Sequence, residues 1–349
     1  MFYYSIDLLK KMISIPSFSR DETKVADFLE NEWRSKGHKV SRVGNNIILT
    51  DGNLDLSKPT ILLNSHIDTV KPVSGWTKDS FTPEETEDER LYGLGSNDAG
   101  ASVVSLYSAF CRLTEHEQPY NLIFLASCEE EVSGKNGIEA ALKQLPPISF
   151  AVVGEPTGMH PAVAEKGLMV LDCVAKGKAG HAARNEGVNA IYKAMKDIEW
   201  FATYQFPEKS DFLGPVKMSV TVVNAGTQHN VVPDRCEFVV DVRSNEYYSN
   251  EELYRLIQQN VECEVTPRSF RLNSSRTDLN HPFVRRAVMM GLEPFGSPTL
   301  SDQALMSFPS VKIGPGQSSR SHSADEYICL MEIREAIEVY VRLLDGLHI

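Results

Sequence analysis

Short apolar runs alternate with stretches of helical spacing along the first half of the chain. Residues 60–64 (Thr-Ile-Leu-Leu-Asn), 122–126 (Leu-Ile-Phe-Leu-Ala) and 150–153 (Phe-Ala-Val-Val) predict three short buried strands. Residues 101–113 carry helical spacing, as do Ile6, Leu9 and Ile13 near the N-terminus and residues 330–344 near the C-terminus. This alternation predicts an α/β fold. The middle of the chain changes character. It predicts strands over 168–176, 216–224, 236–243 and 264–272, with helices over 187–204 and 250–261. Strand-helix-strand-strand-helix-strand is the order of a small α/β sandwich. The earlier pattern resumes near Asn280, so residues 167–272 read as an insertion and residues 1–166 and 273–349 as one discontinuous domain.

Each of the three apolar runs delivers an acidic or imidazole side chain just past its C-terminal end: His66 and Asp68, then Glu129-Glu130-Glu131, then Glu155. Open α/β sheets place their sites at that edge. Asp98 precedes the helix over 101–113, and His322 lies in the segment Arg320-Ser321-His322-Ser323-Ala324-Asp325-Glu326. Taken singly, these are ordinary features. Asp98 reads as a helix cap, the glutamate triplet as a solvated charge run, Glu155-Pro156 as a turn and His322 as a loop residue. Together they offer two imidazoles, a surplus of carboxylates and no cysteine, which is the ligand set of a two-zinc hydrolytic centre with a spare carboxylate as base. Like charges directly after a buried strand are costly unless cations neutralise them. His66 and Asp68, two apart on an extended segment, share a face. His66 is therefore expected to bind a metal while Asp68 accepts its other ring N–H.

Composition narrows the partners. The 349 residues carry 35 basic and 47 acidic side chains, a net charge of −12, which argues against nucleic acid. No stretch approaches the roughly 20 apolar residues needed to span a bilayer. Asp7, Lys10 and Lys11 interrupt any apolar core of a signal peptide. The six cysteines are widely spaced and read as free thiols of a reducing cytoplasm.

Longer phrases carry a family resemblance. They are N-S-H-I-D-T-V, G-W-T-K-D-S-F, L-Y-G-L-G-S-N-D-A-G, E-E-E-V-S-G, V-V-G-E-P-T, G-K-A-G-H-A-A, Q-H-N-V-V-P-D, D-V-R and H-S-A-D-E-Y, in that order. The chain resembles the co-catalytic zinc peptidases, the family of acetylornithine deacetylase, succinyl-diaminopimelate desuccinylase, aminoacylases and glutamate-releasing carboxypeptidases. The resemblance implies a catalytic domain with an inserted lid or dimerisation domain. It implies two Zn2+ per subunit, with Co2+ or Mn2+ able to replace them. His66 and Glu155 would hold one ion, Glu131 and His322 the other, and Asp98 both. Glu130 would be the general base and acid, Asp68 the partner of His66, and Asp98–Ala99 a cis peptide. The pair Glu130-Glu131 is chosen from the triplet because Val132-Ser133-Gly134 fits the family spacing.

The same resemblance implies roles for the inserted domain. His181 would assist the tetrahedral oxyanion, Arg243 would clamp a substrate carboxylate, and Asn230 would contact substrate. Gly314 and Gly316 could bring backbone N–H groups to the substrate or merely shape a loop. The implied substrate is a small N-acyl amino acid, N-acetylornithine or an N-acylcitrulline first, in arginine biosynthesis. Succinyl-diaminopimelate is the alternative, and aminoacylase or dipeptidase activity follows. A metal-free binding module is the competing class. A homodimer through the inserted domain is implied as well. Two positions depart from the family pattern: Gly100 stands where a lysine is common, and Asn185 where a proline is.

Overall fold

The computed structural model describes every residue except Asn53 and Asn185, so the Asn185 departure lies outside the described residues. The chain forms two compact units. The first comprises Met1–Val163, Thr277–Phe295 and Ser301–Ile349; the second comprises Ala164–Arg276 and Gly296–Leu300. The short segment 296–300 thus packs with the second unit, whereas the sequence reading leaves it in the first.

The centre of the first unit is a set of parallel strands. Thr60–His66 lies between Asn121–Ser127 and Phe150–Val153, and Ser310–Lys312 continues the parallel order beyond Phe150–Val153. Asn46–Thr50 joins the other side antiparallel, followed by Val40–Val43. Every residue of Thr60–His66, Asn121–Ser127 and Phe150–Val153 is buried, as expected for parallel strands covered on both faces. The register pairs His66 with Ser127 and Asn64 with Val153. The residues that follow these strands therefore leave the sheet along one edge, at one level.

Helices Phe2–Ile13, Ala101–Leu113 and Leu330–Leu344 pack against one another. Ala101–Leu113 also lies on the central strands. Beside it an aromatic cluster fills the core: the Trp33 and Tyr107 rings stack with centroids 5.1 Å apart, and Phe124 meets Trp33 edge-on at 5.4 Å. A small sheet that the periodicity does not announce pairs Tyr327–Cys329 with Arg90–Tyr92, and those with Glu84–Glu85.

The second unit is a four-stranded antiparallel sheet ordered Lys217–Ala225, Arg235–Arg243, Met169–Lys176, Glu264–Pro267. Burial alternates along Met169–Lys176, so one face is covered and the other is more open. Phe201 of helix Ala190–Thr203 and Leu253 and Ile257 of helix Asn250–Gln258 join Leu171, Phe238 and Val240 in its core. The first of these helices starts later than the expected Gly187. Gly187 has a φ of +89°, and Asn189 caps the helix by accepting from the Ile191 N–H. The last strand stops at Pro267, short of the expected Leu272, and beyond it pairing is limited to the Arg268 N–H donating to the Val170 carbonyl and an isolated bridge between Leu168 and Leu272. No described helix is long and apolar enough to cross a membrane, and all six cysteines are free.

Phe124 supports the strand that leads to the glutamates and is fully buried. Phe124→Ala is expected to cost about 3–5 kcal/mol of stability, read as a lower urea midpoint followed by circular dichroism. A loss below about 1 kcal/mol would contradict the packing described.

Candidate metal centre

His66 ends its strand and is 1% exposed. The parallel ladder carries on one bond further, with the Ile67 N–H donating to the Ser127 carbonyl at 2.8 Å. The imidazole meets the backbone of Asp68 more closely than its side chain. His66 Nδ1 lies 2.9 Å from the backbone carbonyl of Asp68, whereas the Asp68 carboxylate is 3.6 Å away. The carboxylate instead accepts from the N–H groups of Glu130 (3.0 Å) and Glu131 (3.2 Å) and from Ser19 Oγ (2.8 Å). Burial disfavours the Asp68 anion, but His66, Ser19 and the Glu130 N–H outweigh it and keep its carboxyl below the ordinary range. Asp68 thus anchors the glutamate turn as well as the imidazole.

Geometry separates the three glutamates. Glu129 has a φ of +55°, and its carboxylate turns away to accept from Asn136 Nδ2 at 2.9 Å. Gly134 lies so close that a Cβ there would come within 1.9 Å of Glu129 Oε2. Glu131 Oε2 lies 2.9 Å from His322 Nε2, and Glu130 Oε2 lies 3.9 Å from His66 Nε2. Glu130 and Glu131 therefore face the imidazoles, while Glu129 is a structural residue.

Asp98 stands between the two histidines. Its Oδ1 is 3.2 Å from His66 Nε2 and its Oδ2 is 3.7 Å from His322 Nε2. The Asp98–Ala99 peptide is cis. Glu155 Oε1 is 3.6 Å from His66 Nε2. Gly100, the departure from lysine, has a local reason: a Cβ there would lie 2.5 Å from the Gly95 carbonyl oxygen. Gly314 and Gly316 are both closely packed. The Gly314 N–H donates to Thr157 Oγ1 at 3.1 Å, so it does not point a free donor at a substrate. A Cβ at Gly314 would meet the Glu155 carbonyl at 2.5 Å, and one at Gly316 would meet Asn97 Oδ1 at 2.2 Å.

The resemblance sorts these side chains into two donor groups, His66, Asp98 and Glu155, and His322, Asp98 and Glu131, while the triads whose ligand atoms all lie within 4.8 Å of one another are His66, Asp98 and Glu131 and His66, Glu130 and Glu155. Ligand atoms about 2.0–2.2 Å from a shared ion lie about 3.4 Å apart in a tetrahedral site. The histidine-to-carboxylate separations within the two groups run from 2.9 to 3.7 Å and fit that requirement. The charge balance points the same way. Burial pushes Glu155 up to about 8, with Asp98 adding to it and His66 opposing. Burial also drives Glu130 well above its ordinary value, helped by Glu155 and Asp302 against His66. Four carboxylates face two imidazoles, and divalent cations would relieve the excess. The hydrogen bond that His322 donates to the Glu131 carboxylate raises its imidazole to about 9.

Two buried carboxylates behind the site escaped the sequence reading. Asp302 Oδ2 accepts from Asn64 Nδ2 (2.8 Å) and Ser127 Oγ (2.7 Å), tying together the strands that carry His66 and the glutamates. Ser301-Asp302 has no signal beyond a turn. Glu326 accepts from the backbone N–H groups of Gly95, Asn97 and Asp98; its place in the H-S-A-D-E-Y phrase was the available hint.

The remaining expected site residues lie in the second unit. Gly180–His181 pairs with Val231–Val232, and the Ala182 N–H donates to the Asn230 carbonyl at 3.0 Å, so His181 and Asn230 are neighbours and both are exposed. Arg243 is not a free clamp. Its Nε and Nη2 donate to the two oxygens of Asp241 at 2.8 and 3.1 Å.

Because His322 holds its proton up to about 9, a metal ion must displace that proton at neutral pH. The apparent affinity for Zn2+ is expected to rise up to about tenfold per pH unit from near pH 6 and to level off above about pH 9. Competition with a chromophoric chelator across that range measures it, and a flat profile would contradict the assignment of His322 as a ligand.

The sequence profile of peptidase family M20/M25/M40 matches residues 62–346. An acetylornithine deacetylase of Proteus mirabilis is 26% identical over 98% of this chain and 96% of its own length. A succinyl-diaminopimelate desuccinylase of Orientia tsutsugamushi is 25% identical over 77% of this chain and 74% of its own. The fold is similar to that of the Bacillus subtilis YXEP protein, described as a dinuclear metal-binding peptidase, with a TM-score of 0.76 at 16% identity, covering 98% of this chain and 97% of that one. With a match running through nearly the whole catalytic pattern, this chain belongs to the peptidase family M20/M25/M40 and is a hydrolase of the metallopeptidase type.

Proposed function

We propose that the protein hydrolyses the amide bond of a small N-acyl amino acid at a pair of divalent ions, Zn2+ first, with Co2+ or Mn2+ able to serve. The observation that carries this reading is the position of Asp98, with one oxygen toward His66 and the other toward His322, each imidazole having its own further carboxylate. Ions held there supply a Lewis acid for the amide carbonyl and lower the pKa of water. Glu130 stands 3.9 Å from His66 and is spared from binding either ion in this reading, although it also clusters with His66 and Glu155. Its raised proton affinity suits a group that takes a proton from water and returns it to the leaving nitrogen. The N–H groups of Glu130 and Glu131, held by Asp68, keep that carboxylate in place. His181 donates to the tetrahedral oxyanion. Arg243 exchanges Asp241 for a substrate carboxylate, since a planar guanidinium binds carboxylates through two N–H groups, and Asn230 adds a polar contact.

Likeness to an acetylornithine deacetylase over nearly its full length supports N-acetylornithine, or N-acylcitrulline, as substrate, with a place in arginine biosynthesis. Likeness to a desuccinylase keeps N-succinyl-diaminopimelate as the second reading. Aminoacylase or dipeptidase activity ranks below both, and a metal-free binding module is disfavoured because every ligand is present. The exposed side chains of Tyr192 and Met195, with Val222 and Val223 on the edge strand Lys217–Ala225, support a homodimer through the second unit. Free cysteines suit a cytoplasmic location.

A panel of N-acetyl- and N-succinyl-ornithine, -citrulline and -diaminopimelate, ranked by kcat/KM, tests the substrate. The N-acetyl compounds are expected to lead, and chelation is expected to abolish turnover until Zn2+ or Co2+ is restored. No bound metal and no restored activity would favour the binding module. Glu130→Gln is expected to keep its zinc by elemental analysis while kcat falls by about 10²–10⁴-fold; full activity in that variant would remove Glu130 as the base.

A further inference from the structure

Glu326 is 2% exposed and touches neither imidazole nor any of the carboxylates assigned to the ions through its own hydrogen bonds. All of its described side-chain bonds go to one loop. Oε1 accepts from the N–H of Asn97 (2.8 Å) and of Asp98 (2.9 Å), and Oε2 accepts from the N–H of Gly95 (3.1 Å). The loop answers through Asn97. Its Oδ1 accepts from the Gln317 N–H at 3.0 Å, and its Nδ2 donates to the Gln317 carbonyl (3.2 Å) and Ser321 Oγ (3.3 Å). The loop before the Asp98 carboxylate and the segment carrying His322 thus hold each other at two points.

Glu326 is itself firmly placed. Its carbonyl accepts from the Gly93 N–H at 3.0 Å, and the next residue, Tyr327, opens the strand paired with Tyr92. On its other side the Asp325 carboxylate accepts from the N–H groups of Thr77 (2.8 Å) and Lys78 (3.1 Å). A buried carboxylate is costly unless several donors satisfy it. Here three donors converge, and one is the backbone N–H of the residue shared by both donor groups.

We propose that Glu326 is a positioning residue for Asp98: it sets where the shared carboxylate stands between His66 and His322, and through that the affinity of the second ion. The inference rests on the two-ion reading of the site. A carboxylate that orients a ligand from behind typically changes metal affinity by about 10–100-fold when removed. The glutamine variant separates positioning from general support. Its single amide oxygen can still accept from Asn97 and Asp98, while its NH2 faces the Gly95 N–H and cannot accept.

The test uses the full-length protein and Co2+ alone, titrated into metal-free samples of wild type, Glu326→Gln and Glu326→Ala. Isothermal titration gives the two affinities and the visible spectrum reports the ligand geometry. In Glu326→Ala the second Co2+ is expected to bind about 10–100-fold more weakly with an altered visible spectrum, and Glu326→Gln is expected to recover part of that loss. Wild-type affinity and spectrum in either variant, with only the melting temperature of the metal-free protein lowered, would overturn the proposal. Should the alanine variant fail to fold, the glutamine variant decides alone: a weakened second site with a changed spectrum supports the proposal, and wild-type binding overturns it. Wild-type protein that takes up no second Co2+ would instead sink the two-ion reading.

Discussion

The mutual repulsion of carboxylates in a buried place is the constraint around which this protein is built. Asp98, Glu130, Glu131 and Glu155 converge on two imidazoles, with Asp68, Asp302 and Glu326 close behind. Isolated, such a cluster disfavours its own ionised form, and the raised Glu155 and Glu130 carboxyls express that. The cluster is tolerable for two reasons. Those behind are held by backbone N–H groups, hydroxyls and amides, and those in front are arranged for cations. Glu130 faces the same imidazole as Glu155, its Oε2 3.9 Å from His66 Nε2.

The sheet delivers these groups to one place. Parallel neighbours in register end together, so His66, the residues after Ser127 and those after Val153 emerge at one edge. A buried carboxylate, Asp302, then ties Asn64 to Ser127 just before the ends. Asp68 extends the same logic outward by gripping the Glu130–Glu131 turn. His322 comes from the far end of the chain, and its segment needs its own anchors: Asp325 on Thr77 and Lys78, Glu326 on the Asp98 loop, and the strand Tyr327–Cys329 on Arg90–Tyr92.

The second unit carries residues of a different kind. Its expected contributors, His181, Asn230 and Arg243, lie on or beside strands of a sheet with an independent core. None of them is committed to the metal ligands. Arg243 is satisfied by Asp241, whose two oxygens accept from its Nε and Nη2.

Most of the scaffold was legible in the chain. Periodicity placed the buried strand Phe150–Val153 and the helices Ala101–Leu113 and Leu330–Leu344 at their observed bounds, because burial imposes apolar spacing that any reader of the sequence can see. The ligand types were legible too, since few residues bind hard cations. What one dimension could not carry was direction. Only the folded path of the backbone after His66 decided that its ring lies nearer the Asp68 carbonyl than the carboxylate, which accepts from two N–H groups. The left-handed backbone of Glu129 is what turns its carboxylate away to Asn136. Asp302 and Glu326 act through partners hundreds of residues away, and Gly314 and Gly316 are required by backbone and side chains that pack against them from distant segments. Local preference determines which elements form and which chemistry is at hand; the directions of side chains at strand ends and loops depend on contacts that exist only once the chain has closed on itself.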